Sequence, residues 1–240
     1  MKTLKSVLLP QEVEPDPQWQ LRVGIHDDCL SYIVWNERTR EAILVDPKLE
    51  LAEEYRSVAR DLKGTLWLGV IDTHTHADHI SSAAAFAKEL RAPLIMHALS
   101  PSKRVDLRVA KATTMPAHAD GIRFIPTPGH TPDGMCVLWG PFLFTGDTVL
   151  HGDVGRDDLP GGSPEDHYDS LWELKNHGVP DSALILPGHD CKGGRVSSWG
   201  TQLKMNPSLT QGREAFVAES AAFDAPAPAL LKKSLAENFR

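Results

Sequence analysis

The chain has 240 residues, with 25 Lys+Arg against 32 Asp+Glu, 41% hydrophobic residues, 24% charged residues and three cysteines. Such a composition excludes disorder and collagen, and a formal charge of −7 speaks against a nucleic-acid partner, because phosphate binding draws on clustered Lys and Arg. No window approaches the roughly 20 apolar residues that span a bilayer, so no membrane partner is expected, and the apolar run within residues 1–10 is too short for a signal peptide. Cys29, Cys136 and Cys191 are odd in number and far apart. They read as thiols in a reducing compartment, and the expected location is the cytoplasm.

In chain order, short apolar runs rich in branched residues predict strands over 31–35, 42–45, 65–71, 93–96, 121–125, 135–139, 142–144 and 183–186, most of them closed by Pro, Gly or Asp. Helical patterns lie between them at 51–62, 80–90 and 164–176. The last is opened by Ser163 as N-cap with Pro164 at the first helical position. Strands in two groups with helices interspersed predict a layered α/β (α+β) fold. A further helical segment near 213–222 and the Pro-rich 225–228 follow, and residues 1–240 are read as one domain with 204–240 as a C-terminal tail packed on it.

Five of the eleven histidines fall in three segments that also hold well-placed acids. The densest is Thr73-His74-Thr75-His76-Ala77-Asp78-His79, between the strand over 65–71 and the helix from 80. In an extended loop His74 and His76 turn to one side, and the next turn brings Asp78 and His79 to a neighbouring position, so one segment can supply two adjacent metal sites. Burying so many titratable groups without a metal would be costly. Pro128-Gly129-His130-Thr131, Thr145-Gly146-Asp147 and Pro187-Gly188-His189-Asp190 each follow a predicted strand, with Gly beside each ligand-type residue. Taken alone each of these is an ordinary turn. Four strand ends presenting His or Asp together point to a metal centre.

The ordered set H-x-H-x-D-H, P-G-H-T, T-G-D and P-G-H-D resembles the metallo-β-lactamase superfamily over about residues 20 to 195. The resemblance implies an αββα sandwich with the metal site at one edge, on a fold that hosts several reactions. Outside the ligands, residues 40–47, His189-Asp190 with Lys192-Gly193 and Val196-Ser197, Asn206-Pro207-Ser208-Leu209-Thr210, Glu214-Ala215-Phe216-Val217 and the closing Leu235-Ala236-Glu237-Asn238-Phe239-Arg240 are similar to the glutathione-dependent persulfide dioxygenases. That branch implies one Fe(II) per chain on His74, His130 and Asp147, an open non-haem site for a thiol or persulfide substrate and O2. It also implies oxidation of glutathione persulfide to sulfite and glutathione.

Two segments depart from the branch. Cys191 stands where it has an aromatic residue, and its G-R-T-D-F reads Gly155-Arg156-Asp157-Asp158-Leu159, continuing into Pro160-Gly161-Gly162-Ser163-Pro164 as in glyoxalase II-like hydrolases. The alternative is therefore a binuclear zinc hydrolase, a thioesterase or lactonase, with two Zn(II) per chain. His74, His76 and His130 would hold one, Asp78, His79 and His189 the other, and Asp147 would bridge them; metal-bound water of pKa about 7 supplies the nucleophile. The resemblance makes Arg156 a substrate-binding residue, against a local salt bridge to Asp153, Asp157 or Asp158. Cys191 reads as a small apolar filler, His26, His97, His118, His167 and His177 as surface or core histidines, and His151 as the one nearest a ligand. A homodimer stays open.

Overall fold

A computed structural model describes residues 3–6, 18–190 and 196–240. Its strands form two sheets. In the first, β1 (Thr3–Ser6), β2 (Trp19–His26), β3 (Cys29–Asn36), β4 (Glu41–Val45), β5 (Leu66–Ile71), β6 (Leu94–His97) and β7 (Leu107–Val109) lie in sequence order, antiparallel as far as β4 and parallel from β4 to β7. The second runs β13 (Ser197–Ser198), β12 (Leu184–Pro187), β11 (Phe142–Gly146), β10 (Met135–Trp139), β9 (Ile122–Pro126) and β8 (Thr113–Met115). There β11 and β12 are parallel and the other pairs antiparallel.

Two-residue alternation decides the layers. Leu30, Tyr32 and Val34 of β3, Ile43 and Val45 of β4, and Met135, Val137 and Trp139 of β10 meet between the sheets. The intervening Ile33, Trp35, Ala42 and Leu44 face outward, under α1 (Ala52–Asp61) and α2 (Ala83–Leu90), which contribute Tyr55 and Phe86. On the other outer face Cys136, Leu138 and Ile185 meet Leu171 and Leu174 of α3 (Pro164–Asn176), Trp199 of α4 (Trp199–Met205), Leu209 of α5 (Pro207–Thr210) and Phe216 of α6 (Arg213–Ala221). The order of layers is α, β, β, α. A last helix, α7 (Leu231–Asn238), ends beside α2 and the loop before it.

The predicted strands are all present, and Ser163 caps α3 through its side chain with Pro164 in the first turn. Two boundaries differ from expectation. The helix expected from 80 begins at Ala83, because Ser81 and Ser82 turn their groups to Asp72 and Pro47: Ser81 Oγ donates to Asp72 Oδ2 at 2.7 Å and Ser82 N to Pro47 O at 2.8 Å. The helix expected from 51 opens with a 3-10 turn over Leu49–Leu51. Among the described residues no helix is long and apolar enough to cross a membrane.

Candidate metal centre

The H-x-H-x-D-H loop leaves β5 at the edge where the two sheets meet and is held from three sides. Asp46, at the end of β4, accepts from Thr73 N at 2.7 Å and from Thr73 Oγ1 at 2.8 Å. Asp133, in the loop after β9, accepts from Thr75 N at 3.3 Å and from Thr75 Oγ1 at 2.5 Å. From α7, Asn238 Nδ2 donates to the carbonyls of His76 and His79 at 2.9 and 3.0 Å, and its Oδ1 accepts from Ser81 N. Each of these partners is distant in sequence, so the loop's conformation is a tertiary product.

His74, His130 and Asp147 are brought into one group, all buried, with a ligand atom of each within 4.8 Å of the others. His130 Nε2 lies 3.4 Å and His74 Nε2 4.0 Å from Asp147 Oδ2. The opposite edges of both rings are anchored. Thr73 Oγ1 spends its proton on Asp46, so its lone pair takes the Nδ1–H of His74 at 3.0 Å; His130 Nδ1–H donates to the carbonyl of Arg156. Both Nε2 lone pairs therefore face the carboxylate, an arrangement typical of metal-binding histidines. Gly146 adopts φ +48°, and a Cβ there would stand 2.4 Å from Thr73 Oγ1, so glycine lets β11 deliver Asp147 against the loop.

A second group lies beside it. Asp78 Oδ2 accepts from the Cys29 thiol at 2.9 Å and lies 3.1 Å from His79 Nδ1 and 3.6 Å from His189 Nε2. His189 Nε2 is also 3.4 Å from Asp147 Oδ2, which places Asp147 between the two groups. His76 turns its Nε2 to Asp46 at 3.2 Å and Asp72 at 3.9 Å, leaving Nδ1 as the atom available to a metal. A cavity of about 550 Å³ opens onto both groups, lined by Cys29, Lys48, Asp78, His79, His130, Asp147, Arg156, His189 and Leu230 among others.

The charges agree with a cation site. Burial opposes ionisation of Asp147, but His189, by its charge and hydrogen bond, leads the groups that outweigh it and hold the carboxyl far below its usual range. Asp147 in turn drives His189 far upward. Burial, with His76 alongside, pushes His74 down, burial lowers His130, and burial takes His79 to about 4, so these three rings stay neutral, the state in which imidazole binds metal. For His76 burial is outweighed by Asp46, which lifts it to about 9. Asp147 Oδ1 and His79 Nε2 are buried without a hydrogen-bond partner among the described residues. Neutral imidazoles, an ionised carboxylate and orphaned buried acceptors are what a divalent cation completes.

The Lactamase_B family, the metallo-beta-lactamase superfamily, matches residues 25–112 and 100–189. The chain belongs to the metallo-β-lactamase superfamily. Within it, the chain is 29% identical over 214 residues to the mitochondrial persulfide dioxygenase ETHE1 of Homo sapiens, covering 88% of this chain and 83% of that protein. It is 31% identical over 170 residues to BaeB of Bacillus velezensis, a probable polyketide biosynthesis zinc-dependent hydrolase, covering 66% and 71%. Among solved superfamily structures, ETHE1 from Myxococcus xanthus superposes with a TM-score of 0.83 at 29% identity, covering 91% of this chain and 97% of that one.

Arg156 lines the cavity, with its guanidinium committed. Nε and Nη2 donate to the two oxygens of Asp158, both at 2.7 Å, and Nη1 and Nη2 to the carbonyls of Pro226 and Ala225, both at 2.8 Å. The expected local salt bridge is present, and beyond it Arg156 tethers the segment leading to Pro228 and Leu230, which line the cavity. Cys191 lies outside the described residues. Sequence reasoning gave no role at the site to Asp46, Asp133 and Asn238, which shape the loop, or to Cys29, Lys48 and His26, which line the cavity. Asp46 carried one signal: an acid ending a buried strand.

Proposed function

We propose that the protein is a mononuclear non-haem iron dioxygenase that oxidises glutathione persulfide. The overall change is GSSH + O2 + H2O → GSH + SO3²⁻ + 2H⁺. The observation that carries this reading is the group His74, His130 and Asp147, two imidazoles and one carboxylate gathered within 4.8 Å. That donor set suits Fe(II) with positions left open. The similarity to ETHE1 persulfide dioxygenases across most of the chain supports it.

His74, His130 and Asp147 would hold the iron, which when bound supplies O2 activation next to the terminal sulfur of the substrate. The residues around them keep that set in register. Thr73 and the Arg156 carbonyl fix the tautomers of the two histidines. Ionised Asp147 contributes the anionic ligand. The segment at 228–230, held by Arg156, lines the cavity in which a persulfide would meet O2. Arg156 acts on substrate as this wall and tether.

A second reading is a binuclear zinc hydrolase. It is favoured by the placement of His189 between Asp147 and Asp78, and by the relatives named as zinc-dependent hydrolases. Oxygen-electrode traces with glutathione persulfide, run beside hydrolysis assays on S-lactoylglutathione, separate the two. Oxygen uptake matched by sulfite is the expected result; hydrolysis without oxygen uptake would establish the second reading instead.

A further inference from the structure

Lys48 is 2% exposed and among the largest fully buried side chains of the protein. Its main chain is locked in place. The Lys48 N–H donates to Tyr55 Oη at 3.1 Å, and a β-bridge joins Lys48 to Ser81, immediately after the ligand loop. Lys48 lines the 550 Å³ cavity together with Cys29, Asp78 and His79, and its charge acts on the Cys29 thiol and the His79 ring.

An ammonium group has three donors. One of them reaches the carbonyl of His26 at 3.2 Å, and among the described residues no carboxylate lies within 4.0 Å of Nζ. A lysine so deeply buried is almost always paired, because taking an unpaired charge from water is expensive. Among the described residues the other two donors have no partner, and Lys48 is a lining residue of the cavity. Of the other cations on the cavity wall, His189 faces Asp147, Asp78 and Asp28, and Arg156 directs four of its five N–H groups at Asp158, Ala225 and Pro226. Among the described residues, the larger share of uncommitted donor capacity on the cavity wall therefore resides at Lys48, with two N–H groups against one on Arg156.

We propose that Lys48 is the binding residue for a carboxylate of the thiol that carries the substrate sulfur. The proposal rests on the persulfide dioxygenase reading for the identity of that carrier. Asp27, Asp28 and Glu50 line the same cavity, so the carboxylate is taken up beside acids that suit an ammonium group. A zwitterionic amino-acid end, carboxylate on Lys48 and ammonium toward the acids, satisfies both. Glutathione carries such an end; an uncharged thiol does not.

The test compares kcat/KM for glutathione persulfide with that for 2-hydroxyethyl persulfide, in the iron-loaded protein and in Lys48→Met. Met keeps the aliphatic stem and removes a buried charge, so the fold is expected to survive. Loss of a charge-assisted contact should cut the preference for glutathione persulfide on the order of 10- to 150-fold, chiefly through KM. An unchanged preference would overturn the proposal. Calorimetry under anaerobic conditions, on the unsubstituted protein and on Lys48→Met, gives a second arm that needs no turnover. The unsubstituted protein should bind glutathione at least about tenfold more tightly than its diethyl ester, and Lys48→Met should lose that margin; equal affinities in the unsubstituted protein, or a margin retained in Lys48→Met, would overturn the assignment of Lys48. Absence of oxygen uptake with both persulfides would instead overturn the dioxygenase reading, leaving the calorimetric comparison to decide on Lys48.

Discussion

Gly188→Ala strikes the centre through one methyl group. Gly188 follows β12, and its backbone cannot yield: its N–H donates to Gly146 O at 2.8 Å, its carbonyl accepts from Leu30 N at 2.7 Å, and the preceding Pro187 carbonyl accepts from Tyr32 Oη at 2.6 Å. A Cβ at this position would stand 2.3 Å from Asp147 Oδ1, where ordinary contact begins at 3.4 Å. Since the strand is pinned, the carboxylate must give way by the difference of 1.1 Å. Overpacking of this kind costs about 1–3 kcal/mol of stability. A displacement of about 1 Å at a reacting centre costs roughly 100-fold in turnover. Iron affinity, measured anaerobically by chelator competition, should fall by about 10- to 100-fold, as it does when the support of a metal ligand is disturbed. An alanine variant that binds iron and turns over like the parent would refute the placement of Asp147 Oδ1 against Gly188, and with it Asp147 as a tightly positioned ligand.

Three further outcomes follow from the same geometry. Asp78→Asn should leave iron content at one per chain and lower turnover on the order of 10–100-fold; loss of a second stoichiometric metal would show that Asp78 is a ligand. Asn238→Ala leaves the carbonyls of His76 and His79 without their donor and should cost about 1–3 kcal/mol in denaturant unfolding, whereas an unshifted midpoint would contradict the tie between α7 and the loop. Glu41 is buried, yet the N–H groups of His118 and Ala119 and the His118 ring outweigh that burial and hold its carboxyl below the ordinary 4.5. A lowered carboxyl stabilises fully above the unfolded value and loses that contribution as pH falls through the folded one, so the Tm deficit of Glu41→Gln should be present at pH 7 and shrink below about pH 4. A deficit that stays constant with pH would contradict the ionised state of Glu41.

The strands were legible in the sequence because most are buried on both faces and read as unbroken apolar runs, such as Ile43-Leu44-Val45 and Cys136-Val137-Leu138. The ligand segments were legible because Gly and Pro mark the strand ends that carry them. β2 escaped although Trp19, Leu21, Val23 and Ile25 alternate, since Gln20, Arg22 and Gly24 interrupt the apolar run. β7 and β8, three residues each, are too short to show a period at all. The supports of the site were hidden for a different reason. Asp46, Asp133 and Asn238 act on the ligand loop from 27, 58 and up to 162 residues away, and no local pattern encodes such pairings. Arg156 had two readings in sequence, and only the approach of residues 225–226 shows where its remaining donors go. Lys48 looked like any charged residue following Asp-Pro until burial and the cavity gave it a role.

The most direct test of the account is the metal content of protein purified anaerobically. One iron per chain, lost in Asp147→Ala while the chain stays folded, is the result expected if His74, His130 and Asp147 hold the catalytic metal. Two zinc ions per chain, with the second lost in His189→Ala, would contradict it.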